Sequence, residues 1–230
     1  MSIQHIDGFW MQKMLASALA SLKEHEREVN DMNVFPVPDG DTGTNMYLTL
    51  QGAFTSTASE THLGRYIGRL SEAALMNARG NSGVILSQLL SGFAESLKRC
   101  SIANARECSA AMISAYKKAY AAVDRPVEGT ILTVARNAAD NSRFGFGRNI
   151  CVDGFFSVYL SELKKAQLIT PELLSSLKEA GVYDSGAQGW IYIIEGFVRC
   201  LYGKDASDVV VPIEATAEDY EAALAELGVK

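Results

Sequence analysis

Two aspartates flank a single glycine in the segment Asn33-Val-Phe-Pro-Val-Pro-Asp39-Gly-Asp41-Thr-Gly-Thr-Asn45-Met46, immediately before a helical pattern. Glycine's freedom in φ lets the chain turn so that both carboxylates converge on one point. Two converging carboxylates repel unless a cation sits between them. Oxygen ligands of this kind suit Mg²⁺, which keeps several waters and completes its octahedron with phosphate oxygens. Thr42, Gly43, Thr44 and Asn45 follow at the helix start, where free backbone N–H groups would cradle a phosphate. Acids that hold metal, joined to an anion-binding helix start, make a nucleotide site.

A plainer reading stands beside this one, since Asp-Gly is a common turn and Asp or Thr before a helix is often only a cap. Two named metal motifs fail. An EF-hand loop starting at Asp39 needs Gly and Glu where Thr44 and Leu50 stand. A Rossmann-like phosphatase site needs a buried strand before the acid, and Pro36 and Pro38 oppose one. Three further polar, Gly-containing breaks each open a helix: Asn77-Ala-Arg79-Gly80-Asn81-Ser82-Gly83, Glu128-Gly129-Thr130 and Asp184-Ser185-Gly186-Ala187. In an antiparallel bundle every second connection lies at the same end. The starts of the second, fourth, sixth and eighth helices satisfy that parity, so four loops meet at one rim. Arg79, Arg136 and Glu128 lie near these loops, as candidates for phosphate or metal contact or for surface ion pairs. His5, His25 and His62 have charged neighbours and no triad partners, and Trp10 and Trp190 sit at core spacing.

The elements that must position these loops are helical. Ile6, Trp10, Met14, Ala18 and Leu22 recur every four residues beside Leu15 and Leu19, and Asp7 is a ready N-cap, which predicts a first helix over 8–29. The spacing predicts others over 44–57, 62–78, 82–98, 104–122, 129–141, 151–168 and 186–202, with a short one opened by Thr170-Pro171 and running to about 180. No alternating strand pattern occurs before Val209–Val211. Short loops between helices of this length give antiparallel neighbours, an all-α bundle. Residues 1–203 form the domain. Residues 204–230, acidic and Ala-rich with a helix over 217–227, read as a linker or appendage.

Composition narrows the function classes. The chain has 230 residues, 48% hydrophobic and 21% charged, enough to bury a core without disulfide or metal. Its 21 Lys+Arg against 27 Asp+Glu give a net charge of −6, unsuited to nucleic acid or an anionic membrane surface. Cys100, Cys108, Cys151 and Cys200 form no CxxC pair and read as core thiols of a reducing compartment. The N-terminus lacks a signal-peptide pattern, and the most apolar stretch, 84–94, is about half a membrane span. The expectation is a cytoplasmic protein, not transmembrane.

NVFPVPDGDTGTNM at 33–46, NARGNSGVILSQLL at 77–90, VEGTILTVAR at 127–136 and GVYDSGAQG at 181–189 resemble, in order, a DhaL-type (DAK2) domain. This is the ATP-binding module of dihydroxyacetone kinases and of bacterial fatty acid kinase A. The resemblance covers residues 5–203 and implies an eight-helix antiparallel up-and-down barrel with ATP and two Mg²⁺ ions at one rim. It makes Asp39 and Asp41 the metal-bridging, catalytic carboxylates. It places Thr42, Gly43, Thr44 and Asn45 on the phosphates, with Asn81 and Ser82 facing them. Thr130 and Asp184, Ser185 and Gly186 fall on the nucleoside side.

Two departures are visible. Dihydroxyacetone kinases carry a third metal-binding Asp five residues before the DGD pair. Val34 stands there, and the nearest polar residue is Asn33, whose amide oxygen is a candidate ligand. The Arg-containing adenine-side motif is replaced by EAGVYDSG. Both departures point to the fatty acid kinase A branch, in which the kinase phosphorylates the carboxylate of a fatty acid held by a separate binding protein. Chains of that branch continue well past such a domain, so this one reads as an excised N-terminal domain or a short relative. The competing readings are a dihydroxyacetone-kinase-like subunit acting on a small ketose, a module that binds Mg·ATP without turnover, and lipid binding inside the barrel. A homodimer is left open.

Overall fold

The computed structural model describes residues 2–143 and 150–203. They form α1 (Gly8–Glu24), α2 (Glu26–Asp31), α3 (Thr42–Thr55), α4 (Leu63–Met76), α5 (Gly80–Leu97), α6 (Ala105–Ala121), α7 (Ile131–Ser142), α8 (Val152–Leu168), α9 (Thr170–Leu173), α10 (Ser175–Ala180) and α11 (Ser185–Tyr202). Among the described residues there is no strand, only an isolated bridge between Ile6 and Ala103. The fold is all-α. The helix expected over 217–227, the strand at Val209–Val211 and most of the loop at 142–149 lie outside the described residues.

Contacts follow the chain from α3 to α4, α5, α6, α7, α8 and α11, and α11 returns to α1, which packs on α3. Each helix turns an apolar stripe inward. In α1 these residues are Met11, Met14, Leu15, Ala18 and Leu22, and in α11 Trp190, Ile193, Ile194 and Phe197. Caps fix several starts. The Asp7 carboxylate accepts from Trp10 N at 2.9 Å, and Asn104 with Glu107 forms a capping box on α6. Of the four cysteines only Cys108 is a core thiol, buried and pushed up by that burial, whereas Cys100, Cys151 and Cys200 are only partly buried, the first and last packed against the core from its margin.

The first helix is not continuous to 29. It breaks at His25, whose ring nitrogen Nδ1 lies 2.9 Å from the Ser21 carbonyl and whose ring stacks on Tyr192 with centroids 3.9 Å apart. A side chain entering the i−4 position bends the helix axis there. Hydrophobic period alone does not report it, because Val29 of α2 stays in register with the core. The short helix after α8 is likewise two pieces, parted at Leu174. Thr170 does not cap it. The Thr170 hydroxyl donates to the Gln167 carbonyl at 2.8 Å and accepts from Asp184 N at 3.3 Å. The α3 helix also begins two residues earlier than its spacing suggests, at Thr42.

Candidate functional site

The starts of α3, α5, α7 and α11 line one cavity of about 620 Å³, a size typical of small-ligand sites. Of the residues singled out by the sequence, Asn33, Asp39, Asp41, Thr42, Asn45, Asn81, Ser82, Thr130, Asp184, Ser185 and Gly186 all lie on its wall. The parity of the bundle therefore does what the sequence required of it. Its apolar wall comes from Phe35, Val37, Val84, Val123, Val127 and Ile131.

Gly40 takes φ +65° between the two acids, the left-handed turn for which glycine is suited. Asp39 is exposed and Asp41 half-buried, and neither carboxylate has a hydrogen bond or ion pair among the described residues. Two carboxylates left without partners beside a cavity fit a hard, oxygen-seeking cation such as Mg²⁺. No group of three or more His, Cys, Asp or Glu gathers among the described residues, so any third donor must be neutral or come from a ligand. Asn33 is 7% exposed, and its Oδ1 accepts from the Thr42 hydroxyl at 2.8 Å while Nδ2 donates to the Val37 carbonyl at 2.9 Å. The Ser185 hydroxyl in turn donates to Thr42 Oγ1 at 3.3 Å. A short relay thus runs along the cavity wall from α11 through α3 to the acid loop.

Gly43 and Thr44 stand apart from the expectation. Neither lines the cavity, and their N–H groups are not free. Both donate to Asn30 Oδ1, at 2.7 and 3.2 Å. Gly43 is a packing residue: a Cβ there would lie 2.5 Å from the Glu26 carbonyl oxygen of α2. On α5, Gly80 takes φ +57° and leaves room for the Asn45 amide, which brings the second loop against the first.

At the start of α11 Asp184 is buried. Its Oδ2 accepts from Ala187 N at 2.8 Å, and it also accepts from Ile131 N, so one carboxylate ties together the starts of α7 and α11. Burial pushes its pKa up to about 6, against the pull of those two backbone donors. The Thr130 hydroxyl donates to the Val127 carbonyl at 2.8 Å.

Two of the charged candidates nearby, Arg136 and Glu128, resolve into one structural pair. Arg136 makes a two-pronged ion pair with Glu128, with nitrogen–oxygen distances of 2.9 and 2.8 Å, and Thr133 and Tyr120 donate to the same carboxylate. Burial would raise Glu128, but these donors outweigh it and hold the carboxyl below its ordinary range. Neither residue lines the cavity, nor does Arg79. His62 caps α4, and the Trp190 indole donates to Tyr159 in the core.

A profile of the DAK2 domain matches residues 36–199. The chain belongs to the DAK2 domain family. It is 42% identical over 206 residues to Protein YloV of Bacillus subtilis, covering 89% of this chain and 37% of that protein. An uncharacterized protein of Staphylococcus saprophyticus is 41% identical over 210 residues, with 89% and 38% covered. The chain thus spans less than two fifths of the length of these relatives. Among solved structures, the dihydroxyacetone kinase of C. freundii in complex with AMP-PNP and Mg²⁺ aligns with a TM-score of 0.62 at 16% identity, over 86% of this chain and 35% of that one. Its native form aligns at 0.54. At such identity the likeness is one of fold.

Within this DAK2 domain, Arg125 and its neighbour Asp124 are charged cavity residues that sequence reasoning passed over, and Arg125 is the cationic one. It lies on the connection between α6 and α7 and is the one Lys, Arg or His on the described wall, with no ion pair among the described residues. Its signal was faint, a lone Arg before Pro126 in a loop. The turn between the acids yields a direct test. Gly40→Ala places a Cβ in the left-handed region and is expected to cost about 1–2 kcal/mol. That lowers Tm by roughly 2–8 °C in a thermal melt. A melt unchanged from wild type would show that the turn is not held as described.

Proposed function

We infer that this domain binds Mg·ATP in the rim cavity and transfers the γ-phosphoryl group to a fatty acid carboxylate presented by a separate binding protein. The observation that carries the reading is the pair of unpartnered carboxylates, Asp39 and Asp41, on the wall of a cavity built from four helix starts. Bound Mg²⁺ would neutralise the phosphate charge and the charge that develops on the leaving oxygen. Asp39 and Asp41 hold the metal, with the Asn33 amide oxygen as a neutral neighbour. The side chains of Thr42, Asn45, Asn81 and Ser82 face the phosphates. Gly43 and Thr44 support that helix start from behind, and Thr130, Asp184, Ser185 and Gly186 bound the nucleoside side. A carboxylate oxygen of the acceptor bonds to the γ-phosphorus as the bond to the bridging β,γ-oxygen breaks, leaving ADP and an acyl phosphate. The acceptor is already an anion, so no general base is needed, and among the described residues no histidine lines the cavity.

The test is ATP consumption with hydroxylamine trapping of acyl phosphate, with and without a fatty-acid-loaded binding protein. Hydroxamate formed only with the loaded protein supports the reading. ADP formed only with dihydroxyacetone points instead to a ketose kinase. Mg·ATP binding with no turnover under either condition leaves a nucleotide-binding module. Arg125→Ala is expected to lower kcat/KM for ATP by about 100- to 1,000-fold, as for removal of a donor that meets the developing charge of the transferring group. An unchanged kcat/KM would place Arg125 outside the reaction.

A further inference from the structure

An aspartate at a helix N-cap ordinarily turns its carboxylate onto the N–H groups of the second and third helical residues. Asp41 holds that position on α3 and makes no such bond. The donors it would take, Gly43 N and Thr44 N, are satisfied from a different helix by Asn30 Oδ1 of α2. Asn30 Nδ2 donates to Thr44 Oγ1 at 3.0 Å, and that hydroxyl donates to Glu26 Oε1 at 2.7 Å, so the amide is held at both ends. The main-chain carbonyl of Asn30 also accepts from Asn33 N at 3.0 Å, where the acid loop begins. Gly43 makes the arrangement possible, since a Cβ there would stand 3.0 Å from Asn30 Oδ1 as well as against the Glu26 carbonyl.

We propose that Asn30 is a positioning residue that caps α3 in place of Asp41 and so releases the Asp41 carboxylate to face a divalent cation in the rim cavity. The inference rests on the Mg·ATP reading. A carboxylate drawn onto two backbone donors is fixed against its own helix and shares its lone pairs with them. A substitute cap from α2 removes that competition without adding negative charge. When Asn30 is truncated, Asp41, as the N-cap residue, takes up the vacated donors, and the helix start survives at the expense of the cation site.

The experiment combines thermal melts of the metal-free 230-residue chain with calorimetric titration of Mg²⁺ in the presence of ATP. The variants are wild type, Asn30→Ala, Asp41→Ala, the double variant and Asn30→Asp. In the metal-free chain, Asp41→Ala is expected to move Tm by less than about 1 °C in the wild-type background. In the Asn30→Ala background it should lower Tm by about 2–4 °C, the size of one lost cap. Asn30→Ala should weaken Mg²⁺ binding at least tenfold, and Asn30→Asp, which keeps the acceptor oxygen, should recover most of it. Equal Tm changes for Asp41→Ala in the two backgrounds overturn the proposal. So does an Asn30→Ala protein that binds Mg²⁺ as tightly as wild type. If Asn30→Ala does not fold, an Asn30→Asp protein with Mg²⁺ binding weakened as far as in Asp41→Ala overturns it, and one with binding retained upholds it. A wild type that binds no Mg·ATP defeats the functional reading instead, and the metal-free melts still decide whether Asn30 relieves Asp41 of capping.

Discussion

On the Mg·ATP reading, Asp39→Ala/Asp41→Ala is expected to lose the whole of the Mg²⁺-dependent stabilisation that ATP should confer on the wild type. For nucleotide at ~100 times its Kd the wild-type gain is about 2.7 kcal/mol. In a chain of this size that is roughly 5–10 °C in Tm. Chelating the metal should abolish the same shift in the wild type. The ligand-free variant should melt close to the wild type, because neither carboxylate has a protein partner to lose. That combination separates loss of a site from loss of a fold. A variant that keeps its Mg²⁺-dependent shift would remove the two acids from the site.

The second large effect concerns Asp184 and acidity. Its pKa is about 6 in the fold against an ordinary 3.8, so the folded state binds the proton more tightly than the unfolded chain. The associated stability is complete below pH 3.8 and is lost as pH rises through 6. At 1.36 kcal/mol per pKa unit, the loss between about pH 4 and pH 7 is on the order of 3 kcal/mol. Other carboxylates, among them Glu26 and Glu128, are held low and stabilise in the opposite direction as pH rises. The measurement is therefore the difference between wild type and Asp184→Asn in urea unfolding across that range. The variant should gain on the wild type as pH increases, and parallel curves would show that Asp184 is not buried as described. Asp184→Ala, which strips an acceptor from both Ala187 N and Ile131 N, should cost about 2–4 kcal/mol near pH 4, and that cost should shrink as pH rises because the variant is likewise spared the titration.

These two aspartate sites mark what could be read without coordinates. The acid loop was legible because its chemistry is local: two carboxylates, a glycine between them and a helix start are neighbours in sequence. The meeting of four helix starts was legible because helix count and antiparallel order fix which ends coincide. The roles of Gly43 and Thr44 were not, because their N–H groups are taken by a residue 13 and 14 positions earlier, across a helix break that hydrophobic period does not signal. Arg136 and Glu128 looked as eligible for phosphate or metal as for each other, and only their eight-residue spacing around the α7 start, once folded, makes them a pair. Arg125 was hidden for the opposite reason: nothing in its immediate sequence says which way a loop residue faces.

The seam between the α3 start and its neighbours is built on atoms that are missing. A Cβ on Gly43 would press on the Glu26 backbone, one on Gly80 on the Asn45 amide, and one on Gly83 on Thr49. Of these, the contact at Gly43 is with main chain, which no rotamer change can ease. The spacing between α2 and the acid loop is therefore a fit with no clearance, set by main-chain bulk rather than by adjustable side chains. Such a seam passes displacement on instead of absorbing it: α2 and the start of α3 must shift together, and the acid loop ends at that start.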